Sequence, residues 1–139
     1  MKADAIKKIG IAGAGTMGSG IALIFALKGF QAVVTDVAEK YLENAKRIIS
    51  INQSSLIEED IITRSEAEAA LKNICFTVDK KVLSDADIII EAIIEKLDIK
   101  QDFWREVEGI AKEDAIFASN TSGLSITAIS EKLERKGRF

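Results

Sequence analysis

Gly13-Ala14-Gly15-Thr16-Met17-Gly18 sets three glycines at G-x-G-x-x-G spacing, a pattern with a chemical use. The first glycine permits a tight turn, the second lets a phosphate approach the backbone, and the third lets a helix pack closely on a strand. A helix starting here aims free N–H groups and its positive dipole end at an anion such as a pyrophosphate. Asp36 follows where that fingerprint places an acid accepting hydrogen bonds from a ribose. A carboxylate at that point repels a 2'-phosphate, so NAD is favoured over NADP. Lys40 is the one nearby cation and reads as a solvated or ion-paired lysine. The competing reading is that the glycines only pack a buried helix and that Asp36 only caps a helix starting near Val37. A second polar group comprises Glu95, Lys100, Asn120 and Ser122. Taken alone, it reads equally as a solvated helix start and a polar loop whose Ser125 caps the next helix.

Elements that would position these residues are legible in the hydrophobic pattern. Ile6 to Ala12 is an apolar run ending in glycines, and Met17 to Leu27 is apolar and long enough for a buried helix. Gly29 closes that helix, and the β-branched residues in Gln31 to Asp36 make a second strand. From Ala38 to Lys72 the spacing predicts a helical pair, broken at Ser54-Ser55, with a capping box at Thr63 and Glu66. Ile74 to Val78, Asp87 to Ala92 and Ala115 to Ser119 read as further strands, and Lys96 to Lys112 as a helix between the last two. Alternating strands and helices predict a doubly wound α/β domain with a parallel sheet and an inserted helical pair at about 38–72. In such a sheet ligands bind outside the carboxyl ends of the strands, so both polar groups should face one crevice.

Composition narrows the classes. The chain has 139 residues, a size for one domain, with 47% hydrophobic residues and a net charge of -3. That balance gives no electrostatic footprint for nucleic acid or an anionic membrane. No apolar run approaches the roughly 20 residues of a bilayer span, and no signal-peptide core is present, so a cytoplasmic location is expected. One cysteine, Cys75, and no histidine exclude an internal disulfide and set metal chemistry aside. Without histidine the chain also lacks the side chain most used for proton transfer near neutral pH.

Four segments in order resemble the (S)-3-hydroxyacyl-CoA dehydrogenases: GAGTMGSGIA at Gly13 to Ala22, SDADIIIEAIIE at Ser84 to Glu95, Lys100, and NTSGLSIT at Asn120 to Thr127. The similarity covers nearly the whole chain, and related hydroxy-acid dehydrogenases share the glycine turn but not the NTS segment. It implies a Rossmann-type NAD-binding domain spanning 1–139. The implied reaction is NAD-dependent oxidation of a 3-hydroxyacyl-CoA such as 3-hydroxybutyryl-CoA, or its reverse. The residues implied at the cofactor are Gly13, Gly15, Thr16, Met17, Gly18, Asp36, Ala92, Glu95, Lys100 and Asn120. Glu95 and Lys100 are placed on the ribose and nicotinamide side and Asn120 beside the nicotinamide, while Ser122 is placed at the reacting oxygen of the acyl-CoA substrate.

Two departures stand out. Gly123 replaces the second serine of the family's NTSS, with little expected effect on chemistry. Arg138-Phe139 resembles the Arg-Phe just before the family's histidine-bearing strand, so that strand, its histidine and glutamate partner, and the helical C-terminal domain are absent from this sequence. The expectation is a cofactor-binding part that does not turn over alone. Its open sheet edge predicts a homo-oligomer or cover by a rearranged segment Ser125 to Phe139. A free-standing NAD(H)-binding or sensing module is the alternative reading, and a structural protein reusing the fold a third.

Overall fold

The computed structural model describes residues 3–139. Five strands, β1 (Lys8–Ala12), β2 (Gln31–Thr35), β3 (Ile74–Thr77), β4 (Ile88–Glu91) and β5 (Ile116–Ser119), form one parallel sheet in the order β3-β2-β1-β4-β5. The order reverses between β1 and β4, which opens a crevice at their carboxyl ends. Helices α1 (Thr16–Leu27), α2 (Glu39–Glu58) and α3 (Arg64–Lys72) lie on one face, and α4 (Leu97–Glu108) and the short α5 (Ile126–Ile129) on the other. The doubly wound α/β fold expected from the sequence is therefore the observed one.

The central strands are covered on both sides, which explains their continuous apolar runs. Ile9, Ile11 and Val34 pack against Ala22 and Leu42. On the opposite face Ile89 packs with Phe103, Val107 and Phe117 around Trp104, which has no exposed surface. Trp104 lies 4.8 Å from both the Phe117 and Phe139 rings, so the chain's last residue closes over this core. At the amino end of the sheet, Asp87 accepts the Lys7 and Lys8 N–H groups, both at 2.8 Å, and pairs with Lys112. These bonds join the starts of β1 and β4.

The helical pair is present, with a shifted break. α2 runs through Ser54-Ser55 to Glu58 because Ser54 Oγ donates to its own helix at the Ser50 carbonyl, 3.1 Å away. The buried Gln53 bonds the Ala67 carbonyl at 2.8 Å, and Leu56 packs on the core of Leu23, Ile49 and Ala70. Tertiary packing thus overrides the serines' preference for turns. The chain instead turns at Asp60, whose φ of 55° lies in the left-handed region. Thr63 and Glu66 form the expected capping box of α3. α4 ends at Glu108, short of Lys112, where Gly109 caps it. Ser125 is the N-cap of α5 by position but makes no capping bond with its side chain. Segment Ile126 to Phe139 folds back on α4, where Gln101 donates to Ala128 and Glu108 receives the Arg135 N–H. β5 stays at the sheet edge. Among the described residues, no helix is long and apolar enough to cross a membrane.

Candidate functional site

The strand register brings the candidate residues to one edge. Thr35, Ala12, Glu91 and Ser119 are aligned across β2, β1, β4 and β5. Each ladder continues one residue beyond the strands: Gly13 donates to Thr35 O at 2.9 Å, Ala92 to Ala12 O at 2.7 Å, and Asn120 to Glu91 O at 2.7 Å. Asp36 and Asn120 consequently leave the sheet three strand spacings apart, about 14 Å. A cleft of about 680 Å³ opens here, walled by Gly13 to Gly15, Thr35 to Val37, Tyr41, Asn44, Lys80, Ala92 to Ile94, Ile99, Phe103 and Glu106, with Ala12 and Asp102.

The three glycines of the turn divide by role. A Cβ on Gly18 would lie 1.8 Å from the Gly13 carbonyl oxygen, and one on Gly13, whose φ is 108°, would lie 2.3 Å from the Ala92 oxygen. Packing alone therefore requires both. Gly15 differs: a Cβ there meets nothing within 4 Å, and its φ of -78° suits any residue. Its missing side chain leaves an open space at the N-cap of α1, where helix N–H groups point outward. Nearby, Thr35 Oγ1 is buried in the cleft wall without a hydrogen-bond partner. Packing does not account for the space at Gly15, which fits an anionic ligand, whereas Thr35 Oγ1 is buried and offers a ligand no surface.

Asp36 does not act as a helix cap, since α2 begins at Glu39 with Ala38 as its N-cap. Asp36 Oδ2 accepts the Ala14 N–H of the glycine turn at 2.7 Å and Oδ1 accepts the Val37 N–H at 2.6 Å, and the half-buried carboxylate faces the cleft. Lys40 neither pairs with Asp36 nor lines the cleft. Its Nζ sits 5.0 Å from the Tyr41 ring centroid. Thr16 and Met17 face a separate apolar hollow of about 530 Å³ between α1 and α2, with Ile21, Ile24, Phe25 and Leu56.

Glu95 anchors the second polar group. Its Oε1 accepts the Thr121 hydroxyl and the Ser122 and Gly123 N–H groups at 3.2 and 3.4 Å, and its Oε2 lies 3.0 Å from Lys100 Nζ. The Thr121 hydroxyl, then Lys100, hold the Glu95 carboxyl down at about 2, so it is anionic at neutral pH. Lys100 itself has no exposed side-chain surface and pairs at 2.5 Å with Glu91. Neither Lys100 nor Glu95 lines the 680 Å³ cleft. Asn120 and Ser122 are exposed on the loop after β5, outside the walls of the 680 Å³ cleft.

Sequence reasoning missed three groups: Glu91, Thr121 as the holder of Glu95, and the wall residues Tyr41, Asn44, Lys80 and Glu106. Glu91 carried a usable signal, because a carboxylate ending an apolar central strand must find a partner. The wall residues carried none, since they come from separate elements without a shared spacing.

Residues 8–139 match the family described as 3-hydroxyacyl-CoA dehydrogenase, NAD binding domain. A 3-hydroxybutyryl-CoA dehydrogenase of Bradyrhizobium diazoefficiens is 36% identical over 137 residues, 99% of this chain and 47% of that protein. A probable 3-hydroxybutyryl-CoA dehydrogenase of Deinococcus radiodurans is 38% identical over 95% of this chain and 47% of its own length. The crystal structure of (S)-3-hydroxybutyryl-CoA dehydrogenase PaaH1 from Ralstonia eutropha superposes with a TM-score of 0.93 at 34% identity, over 97% of this chain and 48% of that one. The chain spans about half the length of the Bradyrhizobium and Deinococcus relatives. With a matching sequence from Lys8 to Phe139 and a matching sheet, the chain belongs to the family of the 3-hydroxyacyl-CoA dehydrogenase NAD-binding domain.

Proposed function

We propose that this chain is the NAD-binding half of an enzyme that oxidises (S)-3-hydroxyacyl-CoA, with 3-hydroxybutyryl-CoA as a representative substrate, to the 3-oxoacyl-CoA, or runs the reverse reduction. The observation that carries the reading is Gly15: an open N-cap that no packing demand explains, beside a carboxylate fixed by the glycine turn itself. The pyrophosphate would lie against the turn from Gly13 to Gly18, and the adenosine ribose against Asp36, between Val37, Tyr41 and Asn44. The nicotinamide half would pass Ala92 toward Glu95 and Asn120. NAD, when bound, supplies the site that takes up or releases hydride.

The chain's own residues orient the substrate. The Ser122 hydroxyl, on a loop tied to Glu95 through its own N–H, is free to bond the substrate's reacting oxygen. It does not remove a proton at neutral pH, and with no histidine in these 139 residues the chain supplies no ordinary base for that step. The apolar hollow between α1 and α2 suits an apolar portion of the acyl-CoA. Ser122 also favours an enzyme over an NAD(H) sensor, because a sensor has no use for a hydroxyl at the reacting end.

The test is turnover by a polypeptide joining this domain to a histidine-bearing C-terminal half of the family, assayed with NAD and 3-hydroxybutyryl-CoA. Oxidation of the 3-hydroxyacyl-CoA is expected, while the 139-residue chain alone stays inactive. Activity confined to hydroxy acids without CoA would overturn the substrate assignment.

A further inference from the structure

Glu91 is a charged residue with no exposed surface at the end of the central strand β4. Its Oε1 accepts from Lys100 Nζ at 2.5 Å and from the Ile93 N–H at 2.9 Å, and its Oε2 accepts from the Ser119 hydroxyl at 2.6 Å. The one carboxylate thus joins the exit of β4, the exit of β5 and the body of α4. Lys100, equally buried, extends the chain to Glu95 at 3.0 Å, and Glu95 holds Thr121, Ser122 and Gly123. Stability gives little reason to keep such a pair, because desolvation offsets most of the attraction and apolar replacements of both partners commonly do as well. Geometry gives a better one. From Glu91 the network reaches the segments that follow β4 and β5, and through Lys100 in α4 it reaches Glu95 and the loop after β5.

We propose that Glu91 is a positioning residue: it fixes Lys100, and through Lys100 and Glu95 it sets the loop Asn120 to Gly123 in its binding arrangement before any ligand arrives. Glu91 touches neither cofactor nor substrate. The two carboxylates share one ammonium, so when Glu91 loses its charge Lys100 turns wholly to Glu95 and the loop shifts with it. The inference rests on the reading that this edge binds the nicotinamide half of NAD(H).

The test uses the 139-residue chain in a double-mutant cycle read by NADH fluorescence titration. Glu91→Gln keeps the side chain's shape and should weaken NADH binding about tenfold. In a Lys100→Met background the same substitution should change binding less than twofold, because the partner it acts through is gone. Equal losses in both backgrounds, or an unaltered affinity for Glu91→Gln, would overturn the proposal. Lys100→Met leaves a buried carboxylate unpaired and can fail to fold. An amide spectrum of Glu91→Gln therefore gives an independent readout at Ser122 and Gly123, which bond Glu95 and not Glu91. Both amides should shift in Glu91→Gln, and their staying in place would overturn the proposal. If the unsubstituted chain fails to bind NADH, the cofactor reading fails, and the amide arm still decides the role of Glu91.

Discussion

Two glycine-to-alanine substitutions three residues apart should have opposite consequences. In Gly18→Ala the new methyl would sit 1.8 Å from the Gly13 carbonyl oxygen and 3.0 Å from its carbon, both backbone atoms of the tight turn. Helix α1 or the turn must move, at a cost of about 3 kcal/mol. For a domain of this size that lowers Tm by about 10 °C. In Gly15→Ala the methyl meets nothing within 4 Å and the backbone is already extended. Reduced chain entropy in the unfolded state stabilises the variant by roughly 0.4–1 kcal/mol. Alanine's poorer N-cap quality removes a similar amount. Tm should stay within about 3 °C of the parent. That methyl nevertheless occupies the space assigned to the pyrophosphate. Losing one or two charge-assisted bonds there should raise the NADH Kd by roughly 10- to 100-fold. Thermal unfolding and NADH fluorescence titration on the same samples separate the effects. Retention of NADH affinity within twofold by Gly15→Ala would refute the assignment of that space, as would a Tm loss matching that of Gly18→Ala.

Further outcomes follow from single contacts. Burial pulls the Asp87 carboxyl upward, but the bonds from Lys112, Lys8 and Lys7 outweigh it and bring its pKa from 3.8 to about 2. A lowered folded pKa contributes stability fully present above about pH 4 and lost as pH falls toward 2. Water around Lys112 limits the contribution to the order of 1–2 kcal/mol. Acid titration of Tm should therefore show a smaller fall between pH 4 and pH 2 in Asp87→Asn than in the parent. Thr63→Ala removes half of the α3 capping box and should destabilise the chain by about 1 kcal/mol in urea unfolding, leaving NADH affinity unchanged. In a polypeptide that also carries the histidine-bearing half, Ser122→Ala should lower kcat about 10²-fold with little change in NAD affinity, since its bond is aimed at the oxygen whose charge changes. Loss of NADH binding with intact turnover would contradict that role.

The fold was legible because its signals are local. β-branched runs, the apolar α1 and the Thr63-Glu66 box each declare an element within a few residues, and parallel pairing follows from their alternation. The length of α2 was not legible, because what carries it through Ser54-Ser55 is a contact from Gln53 to Ala67 and the burial of Leu56, which no local window contains. At the site, the G-x-G-x-x-G spacing singled out the glycine turn and Asp36 as candidates and gave each glycine an expected role. How crowded each position is, with Gly13 and Gly18 against backbone and Gly15 open, appears only in three dimensions. Glu95 and Lys100 were legible as candidates from their place after β4, and their expected cofactor roles from resemblance. Their dependence on Glu91 was not, because it arises from the register that sets Glu91 beside Ser119 and beneath a lysine nine residues on.

The most direct test of the account is equilibrium titration of the 139-residue chain with NADH and with NADPH under identical conditions. Asp36 is held facing the cleft by the Ala14 and Val37 N–H groups, and no cation pairs with it among the described residues. A 2'-phosphate would meet like charge and lose the ribose hydroxyl bonds. The account predicts saturable NADH binding at least about tenfold tighter than NADPH binding, or roughly 1.4 kcal/mol. Equal affinities, or no saturable binding of either nucleotide, would contradict it.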